Sequence, residues 1–124
     1  MIDREGRKSM LFVCYPKCST CQRAKKWLEA NHISFEERDI KTENPSAVEL
    51  EEWYKKSGLP LKKFFNTSGK LYKEMQLKEK LASMSEKEQL KLLGQDGMLV
   101  KRPILVTEKE VLVGFKEKEW EEKI

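Results

Sequence analysis

The stretch Met10-Leu11-Phe12-Val13-Cys14-Tyr15-Pro16-Lys17-Cys18-Ser19-Thr20-Cys21-Gln22-Arg23 decides the fold. It opens on six apolar residues, a length and Phe/Val/Tyr content that predict a strand buried on both faces. Pro16 ends that strand, because a proline has no N–H to offer the ladder. Over residues 19–31 the pattern turns helical. Ala24, Trp27 and Leu28 fall at i, i+3 and i+4, while Arg23, Lys25, Lys26 and Glu29 take the other faces. Residues 33–40 begin with apolar/polar alternation and predict a second strand. Strand, helix and strand in about thirty residues form a βαβ unit, which implies a parallel pair and a right-handed crossover.

Cys18 falls where the strand has ended and the helix begins. Backbone N–H groups at a helix start stabilise negative charge, so a thiol there is expected to ionise more readily. Lys17 and Arg23 are further candidates for supporting the thiolate. Cys21, about one turn into the helix, can reach Cys18 and form a reversible disulfide. In such a pair the first cysteine attacks, and the second, more buried one resolves the mixed disulfide. The alternative is a pair of inert or metal-binding cysteines. Cys14 lies within the strand pattern and reads as a small buried hydrophobe. The resulting Cys-x-x-x-Cys-x-x-Cys spacing also occurs at iron–sulfur sites of radical enzymes, which need a much larger barrel than 124 residues provide. A zinc site would need a fourth ligand. The single histidine, His32, follows the far end of the helix and reads as a surface residue.

Beyond the βαβ unit the composition changes. Residues 41–94 are rich in helix formers and nearly free of strand signals. Ser46-Ala47-Val48-Glu49 is a capping box opening a helix that carries Val48, Leu50, Trp53 and Tyr54; Gly58 is its left-handed stop, with Pro60 beyond. Residues 61–65 predict a short helix or turn, and residues 71–77 another short helix. Ser85-Glu86-Lys87-Glu88 is a second capping box, opening a helix with Leu90 and Leu93 that Gly94 stops. Strands return at Pro103-Ile104-Leu105-Val106-Thr107 and Val111-Leu112-Val113-Gly114-Phe115. Their three-residue connection predicts an antiparallel hairpin. Residues 117–124 form a terminal helix pinned by Trp120. The order βαβ, helices, ββα predicts a mixed four-stranded sheet with helices on both faces. This is the thioredoxin-like α/β architecture, with an inserted helical layer.

The chain reads as one domain over residues 1–124, with its core at about 10–42 and 97–122 and the insertion at about 43–95. Lys and Arg number 25 against 21 Asp and Glu, a net charge of +4 with the signs interspersed. Such charges read as solvated helix faces, and no direct nucleic-acid binding is expected. No apolar run approaches the ~18 residues a membrane span requires, and residues 1–9 are polar, without the apolar centre of a signal peptide. All three cysteines lie within eight residues and cannot staple distant segments, which fits a reducing compartment, the cytoplasm. No cofactor or metal is expected, and with no spare apolar face evident the chain is expected to be a monomer.

Arg102-Pro103 opens the third predicted strand. A cis proline there would present backbone beside the thiol, where an extended peptide or glutathione could pair. A proline at the first residue of an edge strand is the alternative. Arg102 could hold an oxyanion or support a thiolate.

Taken together, Tyr15 to Cys21, the following Arg23-Ala24-Lys25-Lys26-Trp27-Leu28-Glu29, Leu61-Lys62-Lys63-Phe64-Phe65-Asn66-Thr67, Arg102-Pro103-Ile104 and Val113-Gly114-Phe115 resemble the arsenate reductase-like (ArsC/Spx) family over residues 10 to about 122. The resemblance implies a thioredoxin-like fold with a helical insertion and a cis Arg102–Pro103 bond. Its arsenate reductases use one cysteine, matched by Cys18, and three arginines. Arg102 matches one of these; the second position falls on Asn66 and the third at Gly114 or Phe115. Its Spx-type regulators use a Cys-x-x-Cys redox switch and bind the C-terminal domain of the RNA polymerase α subunit. With two of the three arginines replaced, the resemblance favours a dithiol acting on sulfur, reduced by thioredoxin or a low-molecular-weight thiol. A redox-switched regulator is the alternative, and arsenate reduction the least supported.

Overall fold

The computed structural model describes residues 10–124; the polar residues 1–9 lie outside them. The elements run β1 (Met10–Cys14), α1 (Ser19–Ala30), β2 (Phe35–Asp39), α2 (Ala47–Ser57), α3 (Lys70–Glu74), α4 (Leu77–Lys80), α5 (Glu86–Leu93), β3 (Ile104–Val106), β4 (Val111–Val113) and α6 (Glu117–Lys123). Short 3₁₀ turns lie at Leu61–Phe64, Leu81–Ser83 and Gly97–Leu99. The elements group into two compact units: residues up to Asp39 with Arg102–Ile124, and Ile40–Lys101.

The first unit is built on a four-stranded sheet in the order β2-β1-β3-β4. β1 and β2 are parallel, with Met10 opposite Phe35 and Cys14 opposite Asp39. β3 runs antiparallel to β1, placing Leu105 opposite Phe12, and β4 runs antiparallel to β3, placing Leu112 opposite Leu105. Phe12, Leu105 and Leu112 therefore form one row on one face. Side chains alternate along a strand, so Cys14 shares the face of Phe12. α1 brings Cys21, Ala24 and Leu28 to this row, and α6 brings Trp120; all are buried in one cluster. Within this unit α1 and α6 thus cover the same face of the sheet. The last three residues of β1, Phe12, Val13 and Cys14, are buried on both faces, as a central strand requires.

The strands are shorter than the sequence patterns predict. β2 begins at Phe35, and Glu36 and Glu37 are exposed, which suits an edge strand. β3 and β4 keep three residues each. Gly114 lies outside β4 at φ +79, its N–H donating to the Pro103 carbonyl at 2.8 Å. Trp120 Nε1 donates to the Gly114 carbonyl at 3.2 Å, and the Trp120 ring meets Phe115 and Trp27 edge-on at 4.8 and 5.8 Å. That hydrogen bond satisfies the one polar atom of a fully buried indole.

α1 ends in a motif the sequence did not announce. The N–H of His32 donates to Glu29 and that of Ile33 to Leu28, a Schellman closure with His32 in the left-handed region at φ +56. A glycine is the usual residue there; here an exposed histidine takes the conformation.

The second unit carries two reciprocal capping boxes, Ser46 with Glu49 and Ser85 with Glu88. Each serine hydroxyl accepts from the backbone three residues on, and each glutamate returns the bond. α2 ends at Gly58 in the left-handed region. Two expectations need correction. Val48 is 71% exposed, because Leu50 and Trp53 set the buried stripe and a residue two positions from Leu50 is turned about 200° away. The single helix expected over residues 71–77 is two helices, interrupted at Gln76, which sits at φ +54. Gly94 ends α5 as expected, in a right-handed conformation; a Cβ there would lie 2.8 Å from the Ala47 backbone nitrogen, so close approach demands the glycine.

Candidate functional site

β1 delivers the chain into a tight turn. The N–H of Cys18 donates to the Tyr15 carbonyl at 2.9 Å across Pro16 and Lys17, and Gln22 Nε2 returns to the Pro16 carbonyl at 3.0 Å. Proline presets the first central residue of such a turn. Cys18 then stands as the N-cap of α1 in an extended conformation, its carbonyl accepting from the Gln22 N–H. Its side chain makes no cap hydrogen bond. Burial pushes the Cys18 thiol up, but the Cys21 backbone N–H, the Cys21 thiol, the Arg102 guanidinium and the Thr20 N–H oppose it. Together they hold it below the ordinary value of 9.0.

Cys21 is only 2% exposed and is pushed up to about 12, by burial first. The Tyr15 N–H donates to its sulfur at 3.4 Å and partly offsets that burial; the neighbouring Cys18 and Cys14 add to it. Two thiols one helical turn apart are thus opposed in character: Cys18 is half-exposed with its pKa held down, and Cys21 is buried with its pKa pushed up. Cys14, at the last position of β1, is buried and also pushed up to about 12, by burial and then by Glu37. All three are free thiols.

Arg102 and Pro103 approach from the head of β3, and the peptide bond between them is cis. The Arg102 guanidinium stacks over the Tyr15 ring, with Cζ 5.3 Å from its centroid. Its Nε and Nη1 are buried without a hydrogen-bond partner. A guanidinium so held offers N–H groups to an acceptor arriving beside the Cys18 sulfur.

The structure therefore brings together Cys18, Cys21 and Arg102, with Pro103 beside them in sequence. Lys17 and Arg23 are exposed. The groups that hold the Cys18 thiol down are backbone N–H groups, Cys21 and Arg102 instead. Sequence reasoning passed over Tyr15, which bonds Cys21 through its backbone and seats Arg102 under its ring. Its one local signal was its position just before the turn-forming Pro16. His32 is exposed beyond the C-terminal end of α1. Among the described residues no three His, Cys, Asp or Glu side chains are grouped as metal ligands, and no helix is long and apolar enough to cross a membrane.

A thiol at the start of the first helix of a βαβ unit, with an X–Pro bond at the head of the neighbouring antiparallel strand, defines a thioredoxin-like protein with a cysteine-centred site. The chain belongs to the ArsC family, whose sequence profile matches residues 14–123. It is 56% identical over 114 residues to the uncharacterized protein YusI of Bacillus subtilis, covering 92% of this chain and 97% of that one. It is 31% identical over 108 residues to the regulatory protein MgsR of Bacillus subtilis, covering 87% and 84%. Among solved structures, an ArsC family related protein from Bacteroides fragilis superposes with a TM-score of 0.90 at 56% identity, covering 93% of this chain and 97% of that one.

Proposed function

We propose that the protein is a thiol–disulfide oxidoreductase working through a Cys18/Cys21 dithiol. The observation that carries this reading is the placement of the two thiols: Cys18 half-exposed at the start of α1, Cys21 buried one turn on. The Cys18 thiolate attacks one sulfur of a substrate disulfide, forming a mixed disulfide and releasing the other sulfur as a thiolate. Cys21 then gives up its proton and attacks the Cys18 sulfur, releasing the second substrate thiolate and leaving a Cys18–Cys21 disulfide. Two electrons have passed from the dithiol to the substrate. Thioredoxin or a low-molecular-weight thiol returns them. The helix start and Arg102 stabilise Cys18 both as attacking and as leaving thiolate, and Pro103 shapes the wall of the site.

The same dithiol could act as a switch without turnover. The 31% identity to the regulatory protein MgsR supports a regulatory role; as the resemblance to Spx-type regulators implies, the partner would be the C-terminal domain of the RNA polymerase α subunit. Arsenate reduction has less support. Of the three arginine positions of arsenate reductases, Arg102 alone carries a cation. Phe115 packs on Trp120, and Gly114 bonds its neighbours through its backbone.

Turnover assays on a small disulfide with Cys18→Ser and Cys21→Ser separate these readings. The oxidoreductase reading expects turnover to disappear in Cys18→Ser and to stall at a mixed disulfide in Cys21→Ser; unchanged turnover in Cys18→Ser ends it. A pull-down with the polymerase α C-terminal domain, in reduced and oxidised states, tests the regulator, which binding in neither state rejects.

A further inference from the structure

Cys14 has no part in the chemistry above, yet it is a nucleophile buried beside the dithiol. It occupies the last position of β1 on the face that α1 covers, in the same cluster as Cys21. Cys14 and Cys21 together line a cleft of about 120 Å³, bordered by Pro16, Gln22, Lys25 and Glu37. The N–H of Tyr15, the residue after Cys14, donates to the Cys21 sulfur at 3.4 Å, which ties that sulfur to the end of β1. A Lys25–Glu37 ion pair at 2.8 Å joins α1 to β2 beside the two thiols. Cys21 thus follows Cys18 by one turn at the start of α1 and shares a cleft wall and a core cluster with Cys14 at the end of β1.

From this geometry we infer that Cys14 is a third redox thiol, which exchanges with the Cys18–Cys21 disulfide to form a Cys14–Cys21 disulfide. The inference rests on the proposed dithiol chemistry and extends it. In the exchange the Cys14 thiol gives its proton to solvent and its sulfur attacks Cys21. The Cys18–Cys21 bond breaks, and Cys18 leaves as a thiolate. One S–S bond is exchanged for another with no net oxidation, so no further oxidant is needed. Cys18 is the better leaving group of the two sulfurs, because the helix start and Arg102 stabilise its anion. Cys14 is as hard to ionise as Cys21, the thiol already assigned the resolving step. The outcome is an oxidised protein that buries its disulfide and again presents a free Cys18.

The test uses the whole chain oxidised to one disulfide per molecule, with that disulfide located by peptide mapping. The protein is then held with iodoacetamide under native conditions. Exchange frees Cys18, the half-exposed thiol at the start of α1, so the expected result is progressive labelling at Cys18 with a Cys14–Cys21 disulfide in the same molecules. Cys14→Ala, oxidised in the same way, should take no label at Cys18. A parent protein whose Cys18–Cys21 bond stays intact, with no label at Cys18, overturns the inference while leaving the proposed function standing. If Cys14→Ala, in which no exchange can occur, forms no Cys18–Cys21 disulfide, the proposed function fails. The inference is then decided in Cys18→Ser treated with hydrogen peroxide, which oxidises one thiol to a sulfenic acid that the other displaces with loss of water. Loss of two hydrogens and a Cys14–Cys21 cross-link support the inference; two thiols left uncross-linked overturn it.

Discussion

Arg102 lies over the ring of Tyr15, its Cζ 5.3 Å from the ring centroid. A guanidinium is attracted to the negative face of an aromatic ring, and the attraction grows as water is excluded. Tyr15 belongs to the turn before α1 and Arg102 to the approach to β3, so this stack joins the two segments that meet at Cys18.

Removing the stack should therefore alter the thiol. In Tyr15→Leu the guanidinium loses its seat, and in Arg102→Gln the charge is lost. Both variants should raise the Cys18 pKa above that of the parent, Arg102→Gln by more. Thiolate ultraviolet absorbance against pH measures this, and iodoacetamide labelling of Cys18 near neutral pH should slow in the same order. Unchanged titration in Arg102→Gln would remove Arg102 from the site.

Alkaline pH should destabilise the fold. Cys14 and Cys21 are both held protonated, at about 12 against an ordinary 9.0. A raised folded-state pKa contributes stability that is fully present below the unfolded value and is lost as pH rises toward the folded one. Tm should fall from pH 9 upward, and Cys14→Ala should show a shallower fall than the parent. Equal slopes would mean that Cys14 ionises as freely in the folded chain as in the unfolded one.

Trp120 should be the costliest surface-distant residue of the first unit to truncate. Its ring is fully buried against Phe115 and Trp27. Trp120→Ala should lose about 3–5 kcal/mol in denaturant unfolding. Trp120→Phe keeps a ring but leaves the Gly114 carbonyl without its donor, and should lose less, including about 1 kcal/mol for that bond.

Gly97 should tolerate no side chain. A Cβ there would strike the Ile40 carbonyl oxygen, and backbone cannot swing aside as a side-chain tip can. Gly97→Ala should cost at least about 3 kcal/mol, the upper end of ordinary overpacking, read from chemical denaturation. A neutral effect would show that the 3₁₀ turn at Gly97–Leu99 can move.

His32 offers the opposite change. It holds φ +56 at the end of α1 and is exposed. His32→Gly should stabilise the protein by roughly 1 kcal/mol, by removing the Cβ strain of the left-handed conformation. A loss of stability instead would give the imidazole a partner in solution.

Much of the fold could be read in the chain because its signals are local. The apolar run at Phe12, Val13 and Cys14, the i, i+3 and i+4 stripe of α1, and the serine caps of α2 and α5 each depend on residues within a turn or two of one another. Val48 shows the limit. It is apolar and helical, but which stripe of α2 faces inward is decided by what Leu50 and Trp53 pack against. Gln76 and His32 show another limit, since neither is a residue type that announces a left-handed backbone.

The βαβ unit and, at its strand–helix junction, the placing of Cys18 at a helix start with Cys21 one turn on are written in the chain alone. Strand and helix periods and proline's missing N–H are properties of short segments, so no distant partner is needed to read them. What surrounds those two sulfurs comes from tertiary contacts. The register of β1 against β3 carries Arg102, more than eighty positions away, to Cys18 and Tyr15. The side-chain alternation of β1 turns Cys14 under α1 beside Cys21, in the cluster where burial raises the pKa of both. Burial and charge proximity are sums over neighbours that the chain folds into place, so the opposed character of Cys18 and Cys21 emerges only once the sheet has formed.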